Sequence, residues 1–237
     1  MAHSYSKSVN AVYHCSTEQE DYPDCLALSI GWKIGRALTA TRWAKGSILT
    51  FNGDPHSFPT DRSYRRAIRF LEQAASEWND VIHPYVRFRR ISDKQLATFQ
   101  LTYRDLTEQG GNTTYATSFC PDPRHDSTAP RELIVYALSF QAENLEFMVN
   151  IFCHELGHVL GFRHENAIEI PEFESLAAVQ FGPRNPLSVM GNDLPLSMMR
   201  IDLLDAVWAR NYYAYDRRFY RGVRVEDVPV RLGGGFL

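Results

Sequence analysis

No run of the 237 residues approaches the roughly 18–20 consecutive apolar positions that a membrane-spanning helix needs, which excludes a helical span. An excess of one charge is missing too. The 25 Lys and Arg against 28 Asp and Glu leave a net charge of −3, so no global basic field points to nucleic acid or an anionic membrane. The arginine clusters in "DRSYRRAIRF" and "VRFRRIS" read as solvated faces of a helix and a strand. Internal repeats and low-complexity linkers are lacking. Cysteine is sparse: Cys15, Cys25, Cys120 and Cys153 are an even number, but a chain of this length builds a core without disulfide staples. The opening "MAHSYSKSVNAVYHC" lacks the apolar stretch of a secretion signal. Either the protein stays inside the cell or the chain starts after a removed signal. "GNTT" at Asn112 is a glycosylation sequon in the secreted case alone.

What is present reads as one α+β domain. "GSILTFNGD" has the pattern of a strand running into an Asn-Gly turn. "DRSYRRAIRFLEQAASEWND" follows with Ala67, Ile68, Leu71, Ala74, Ala75 and Trp78 at helical spacing, and Asp61 or Ser63 as N-cap. "YVRFRRIS" and "ATFQLTYRDL" alternate as strands do, residues 107–130 are irregular, and "RELIVYALSF" is a further strand. Apolar Leu145, Met148, Phe152, Leu156, Val159 and Leu160 predict a long helix over Gln141–Gly161. A loop of about 30 residues, long against usual connections, leads to a last helix in "SMMRIDLLDAVWARNYY". Residues 1–42 are expected to be an N-terminal extension, either pro-segment-like or packed on the domain, and residues 43–237 the domain itself.

The densest chemistry lies in "FCHELGHVLGFRHEN", residues 152–166. Residues four apart share a helix face, so His154 and His158 aim two imidazoles at one point. Glu155 projects beside them, where a carboxylate can take a proton from zinc-bound water. Glycine tolerates the left-handed turn that ends helices, so Gly161 lets the chain double back and bring in His164. Three protein ligands leave one position for water, the catalytic arrangement. Two plainer readings compete: a histidine pair on a helix surface, and a closed structural zinc site. Cys153 is the nearest fourth ligand for the latter, but it sits about 100° round the helix from His154 and should face the core.

The run His154-Glu155-x-x-His158-x-x-Gly161-x-x-His164 resembles the long zinc signature of the metzincin metallopeptidases. "NPLSVMGN", with Met190 26 residues past His164, resembles that clan's Met-turn. "LPLSMMRIDLLDAVWARNYY" resembles its C-terminal helix, and "RWAKGSILTF" the strand that often opens its catalytic domain; the likeness covers about residues 43–215. Glu165 after the third histidine is similar to the astacins, whereas Asn192 stands where astacins carry a Met-turn tyrosine. "FNGD" at 51–54 matches the aspartate switch of astacin propeptides but falls inside the expected first strand. Cys25 in "YPDC" is a candidate cysteine switch, with a disulfide or a buried thiol as the plainer reading.

The resemblance implies a metzincin-like fold: a small mixed twisted sheet, an active-site helix, a second packing helix and a C-terminal helix after the Met-turn. It implies a zinc endopeptidase acting on protein or peptide substrates. One zinc ion would be held by His154, His158 and His164, Glu155 would be the general base, and Gly161 and Met190 would support the site. Substrate would lie extended along an edge strand, here sought within 110–118, and the loop 166–188 would line the pocket beyond the scissile bond. An extracellular location follows from the family, with the cytoplasm as the alternative; if extracellular, Cys120–Cys153 and Cys15–Cys25 are the expected pairs. The signature carries no information on calcium or oligomeric state. Two other functions stay open: a metzincin-fold zinc enzyme tailoring one specific peptide, and a non-catalytic zinc-binding module. Glu155 argues against the last.

Overall fold

A computed structural model describes Tyr13, Cys15 and residues 39–93, 96–106, 113–123, 131–165, 180–191 and 194–230. Among the described residues, eight strands and three α-helices order as β1 (Thr39–Trp43), β2 (Ser47–Gly53), α1 (Asp61–Ile82), β3 (Val86–Arg90), β4 (Phe99–Arg104), β5 (Ala116–Thr117), β6 (Arg131–Tyr136), α2 (Met148–Val159), α3 (Leu203–Ala214), β7 (Phe219–Tyr220) and β8 (Val223–Val228). The fold is α+β. A five-stranded mixed sheet runs in the order β3-β2-β4-β6-β5, all parallel except β5, which lies antiparallel to β6 at one edge. A smaller sheet pairs β1 parallel to β8 and β8 antiparallel to β7. β1 thus crosses the expected boundary at residue 42.

α1 is amphipathic, and its expected apolar face is buried at every position from Ala67 to Trp78, with Ile82 added. Its N-cap is Thr60, one residue before Asp61 and three before Ser63, the two expected candidates: Thr60 Oγ1 accepts from Ser63 N at 3.1 Å, and Ser63 Oγ accepts from Thr60 N at 3.2 Å. This reciprocal pairing satisfies donors that a helix start leaves open. Arg62, Arg65, Arg66 and Arg69 on the opposite face are exposed, as are Arg87, Arg89 and Arg90 on β3. Among the described residues no helix is long and apolar enough to cross a membrane.

The long helix expected over Gln141–Gly161 is shorter. Ala137–Phe140 and Leu145–Phe147 form separate 3-10 turns, and α2 begins at Met148. Gln141 is extended (φ −62°, ψ 147°), and the Asn144 side chain donates to the Leu138 carbonyl at 2.9 Å. Together they fold the chain back before the helix starts. The last helix is also shorter, because Asp202 caps it by accepting from Asp205 N at 2.8 Å.

Every residue of α2 from Ile151 to Val159 is buried. A buried helix must find partners for the carbonyls at its C-terminal end. Aromatic side chains supply them: Trp43 Nε1 donates to Val159 O at 2.6 Å and Tyr213 Oη to Leu160 O at 2.8 Å. On the α1 side, Trp78 Nε1 reaches Cys153 O at 2.8 Å. These contacts hold α2 rigidly between α1, β1 and α3.

Candidate metal centre

The α2 helix ends as its sequence requires. Gly161 N–H donates to His158 O at 2.8 Å and Phe162 N–H to Gly157 O at 2.9 Å, with Gly161 at φ +96°. A β-carbon on Gly161 would lie 2.5 Å from the Thr41 carbonyl of β1. The reversal carries His164 back over the helix. Nε2 of His154, His158 and His164 then form a nearly equilateral triangle with edges of 3.1, 3.2 and 3.1 Å.

The edge between His154 and His158 has no ordinary hydrogen-bonding explanation. His154 Nδ1 lies 2.8 Å from Val189 O and His158 Nδ1 lies 2.8 Å from Phe162 O. A carbonyl can only accept, so both Nδ1 atoms carry the proton, and in a neutral imidazole Nε2 is then a bare lone pair. Burial holds His154 neutral, with the neighbouring His158 and His164 adding to the effect; its pKa lies well below the ordinary value. Two lone pairs facing each other at 3.1 Å repel unless a proton or a cation lies between them. A tetrahedral zinc with bonds of about 2.0–2.1 Å has nitrogen–nitrogen edges of about 3.3–3.4 Å, close to those found. The donors present fit zinc.

The turn that carries Met190 packs against α2. Met190 Sδ occupies the space a Gly157 side chain would need, so the turn at 188–191 seats directly under α2. That turn also presents Val189 O to His154, the contact that fixes ring orientation in metal sites. The first turn of α3 holds it in place. Asp205 Oδ2 accepts from Val189 N at 2.8 Å, and Asn185 Nδ2 bridges Asp202 and Asp205 at 3.0 and 3.1 Å. Glu165 Oε1 accepts from Asn185 N at 2.5 Å. Burial raises the Asp205 pKa, outweighing the lowering by its hydrogen bonds to Val189 and Ser188.

Glu155 is wholly buried. Its backbone carbonyl accepts from Ser118 Oγ at 3.0 Å, which ties α2 to the segment following edge strand β5. Its carboxylate meets two groups that the sequence pattern did not point to. Tyr13 Oη donates to Oε1, and Cys15 Sγ lies 3.3 Å from the same oxygen. Cys15 Sγ is also 3.7 Å from His158 Nε2. Burial, then the Glu155 carboxylate, pushes the Tyr13 phenol well above its ordinary pKa. Tyr13 and Cys15 lie about 140 residues from Glu155, and no local spacing links them to it.

Of the expected disulfides, Cys120–Cys153 does not form, both residues being buried but not bonded to each other; Cys15–Cys25 includes a residue outside the described ones. The Cys153 thiol faces α1, 3.4 Å from Glu77 Oε2, and burial and that carboxylate raise its pKa. Its core-facing position agrees with the helix geometry and takes it away from the metal centre. Cys25, Asn112 and Asn192 fall outside the described residues. Asp54 of "FNGD" accepts from His56 N at 3.3 Å and caps a 3-10 turn, so it has a local role. Of the loop 166–188, residues 180–188 are described. Phe181, Pro183 and Arg184 join Glu165 and Trp208 around a cavity of about 190 Å³ beside His164 and Met190.

No family model matches this sequence, and no curated protein matches it significantly. Among solved structures, the chain is similar to high choriolytic enzyme 1, a hatching enzyme zinc-protease from the medaka fish Oryzias latipes. The likeness has a TM-score of 0.45 and 15% identity, and it covers 73% of this chain and 94% of that one. At that distance the function has to be argued from this chain's own residues.

Proposed function

We propose that the chain is a zinc-dependent endopeptidase of metzincin type. The observation that carries the proposal is the triangle of His154, His158 and His164 Nε2 atoms, with the buried Glu155 carboxylate on the next helical position. The motif's resemblance to the metzincin signature supports the same reading.

In this proposal His154, His158 and His164 hold the ion, and the Val189 and Phe162 carbonyls fix two of the rings. Bound zinc would supply Lewis acidity, lowering the pKa of a water toward neutrality and polarising a carbonyl. Glu155 takes the proton of the attacking water at a carboxylate oxygen and delivers it to the leaving amine. Its burial removes competing solvent and keeps the transfer short. The edge strand β5, tied to α2 through Ser118, offers backbone groups for an extended peptide. The cavity bounded by Phe181 and Trp208 takes a side chain of that peptide.

A second reading is a closed, non-catalytic zinc site, because Cys15 adds a fourth metal-ligating donor beside the three histidines. Hydrolysis of an unfolded protein separates the two, measured in the Cys15→Ala variant with and without Glu155→Gln. The peptidase reading expects cleavage by the first and none by the second, with zinc in both. A zinc-loaded Cys15→Ala variant that cuts nothing would favour the closed site.

A further inference from the structure

A dense positive charge lies on the outer face of α1, opposite the face that packs on α2. Arg62, Arg65, Arg66 and Arg69 follow the spacing i, i+3, i+4, i+7, which puts all four on one helical stripe. The stripe runs about 10 Å along the helix axis. These four side chains alone line a groove of about 320 Å³. All four are exposed, and the carboxylate beside them is Asp61, which pairs with Arg65. Among the described residues, Arg62, Arg66 and Arg69 have no carboxylate partner, whereas Arg90 and Arg104 find Glu72 and Glu132.

This arrangement works against the helix that carries it. Like charges three or four residues apart repel, and that relation holds for Arg62 with Arg65 and Arg66, and for Arg69 with the same two. The stripe also starts at the helix N-terminus, the positive end of the peptide dipoles, where cations are disfavoured. Thr60 and Ser63 cap the first turn with each other's groups, so an incoming anion meets the guanidiniums. Two of these are steadied by a ring: the Arg66 and Arg69 guanidinium carbons lie 5.9 and 5.8 Å from the centre of Phe70. Local choices that oppose stability are expected at functional sites. A bound polyanion would reverse both the repulsion and the dipole effect.

We propose that the arginine stripe of α1 binds a sulfated polysaccharide. The planar guanidinium matches two oxygens of a tetrahedral oxyanion such as sulfate. A linear chain with an anionic group at each sugar meets several arginines in turn. Other polyanions fit less well. The large apolar side chains most exposed to solvent among the described residues, Leu187, Met198, Leu203 and Phe219, all lie outside α1. The stripe therefore lacks the apolar face that inserts into a membrane. Tyr64 and Phe70 are half-buried and packed on the core, which leaves no free ring on which nucleic-acid bases stack. The overall charge of −3 gives no long-range attraction, so binding is local to this stripe. It does not depend on the zinc centre.

The test titrates the full chain with heparin at about 0.15 M salt, beside desulfated heparin, duplex DNA and phosphatidylserine vesicles. Wild type should bind heparin more tightly than any of the other three. Arg66→Gln/Arg69→Gln removes two contacts, so the slope of log affinity against log salt should fall by roughly two and the affinity by roughly tenfold. Arg217→Gln/Arg218→Gln, an exposed pair after α3, should leave both unchanged. Equal weakening by the two double variants overturns the site, because lost net charge alone would explain it. Absence of heparin binding, equal binding of desulfated heparin, or a preference for DNA or vesicles each overturns the proposal. Thermal unfolding gives a second reading. Heparin should raise the Tm of wild type and of the Arg217→Gln/Arg218→Gln protein more than that of Arg66→Gln/Arg69→Gln; an equal rise in all three overturns binding at the stripe.

Discussion

Replacing Gly161 with alanine tests how the helix end builds the site. Two costs add. A left-handed backbone costs an L-residue roughly 1–2 kcal/mol, and Gly161 sits at φ +96°. The new β-carbon would also stand 2.5 Å from the Thr41 carbonyl. That oxygen belongs to β1, which is paired along its length with β8 and cannot swing aside as a side-chain tip could. Relieving such a clash by backbone movement costs typically about 1–3 kcal/mol. The expected loss is therefore about 2–5 kcal/mol, a large share of the roughly 5–15 kcal/mol by which domains are stable. Movement would be felt at both flanking ligands, because Phe162 O orients His158 and the same reversal carries His164. Zinc affinity should fall about 10–100-fold, as it does when the partners of metal-bound histidines are disturbed. Urea unfolding with chelator present isolates the first effect, and competitive zinc titration the second. A Gly161→Ala protein within about 0.5 kcal/mol of wild type, with unchanged zinc affinity, would refute the reasoning.

Other perturbations have defined outcomes. Thr60→Ala removes the cap of α1 and should cost about 1 kcal/mol in urea unfolding without changing zinc content. Arg42→Ala strips a buried guanidinium from Asp227 and from the Tyr212 and Tyr215 carbonyls, and should cost about 3 kcal/mol in thermal unfolding. Asp205 has a folded pKa above its unfolded value. Its contribution is fully present below the unfolded pKa of about 3.9 and is lost as pH rises through the folded value. Asp205→Asn should therefore flatten the wild-type loss of stability with rising pH in that window, as read from urea midpoints. Adding zinc to the metal-free protein at 100 times the dissociation constant should stabilise it by about 2.7 kcal/mol in calorimetry.

The convergence of the three histidines is legible in the sequence because its determinants are local. The spacing of His154, His158 and His164 around Gly161 encodes a helix face and its reversal, and the apolar period of α1 encodes its buried face. Short-range competition blurred the rest. Leu145 and Met148 keep helical spacing although the Leu145 turn is 3-10, because both helix types bring residues three apart near one another. Thr60 caps α1 in place of Asp61 or Ser63, since any of these residue types can cap. An even count of cysteines says nothing of direction: the Cys153 thiol points at Glu77, and the Cys15 thiol at Glu155 and His158. Tyr13 and Cys15 reach the site through tertiary packing alone, across a separation that no periodicity spans. Asp205 likewise acts through the Val189 peptide, a contact between elements that no pattern within either one reveals.

The most direct test of the central claim compares Cys15→Ala with Cys15→Ala/Glu155→Gln, both assayed for zinc content and for hydrolysis of an unfolded protein. The account predicts one zinc per chain in each and cleavage by the first alone. Cleavage by both at equal rates, or by neither while zinc is bound, would contradict it.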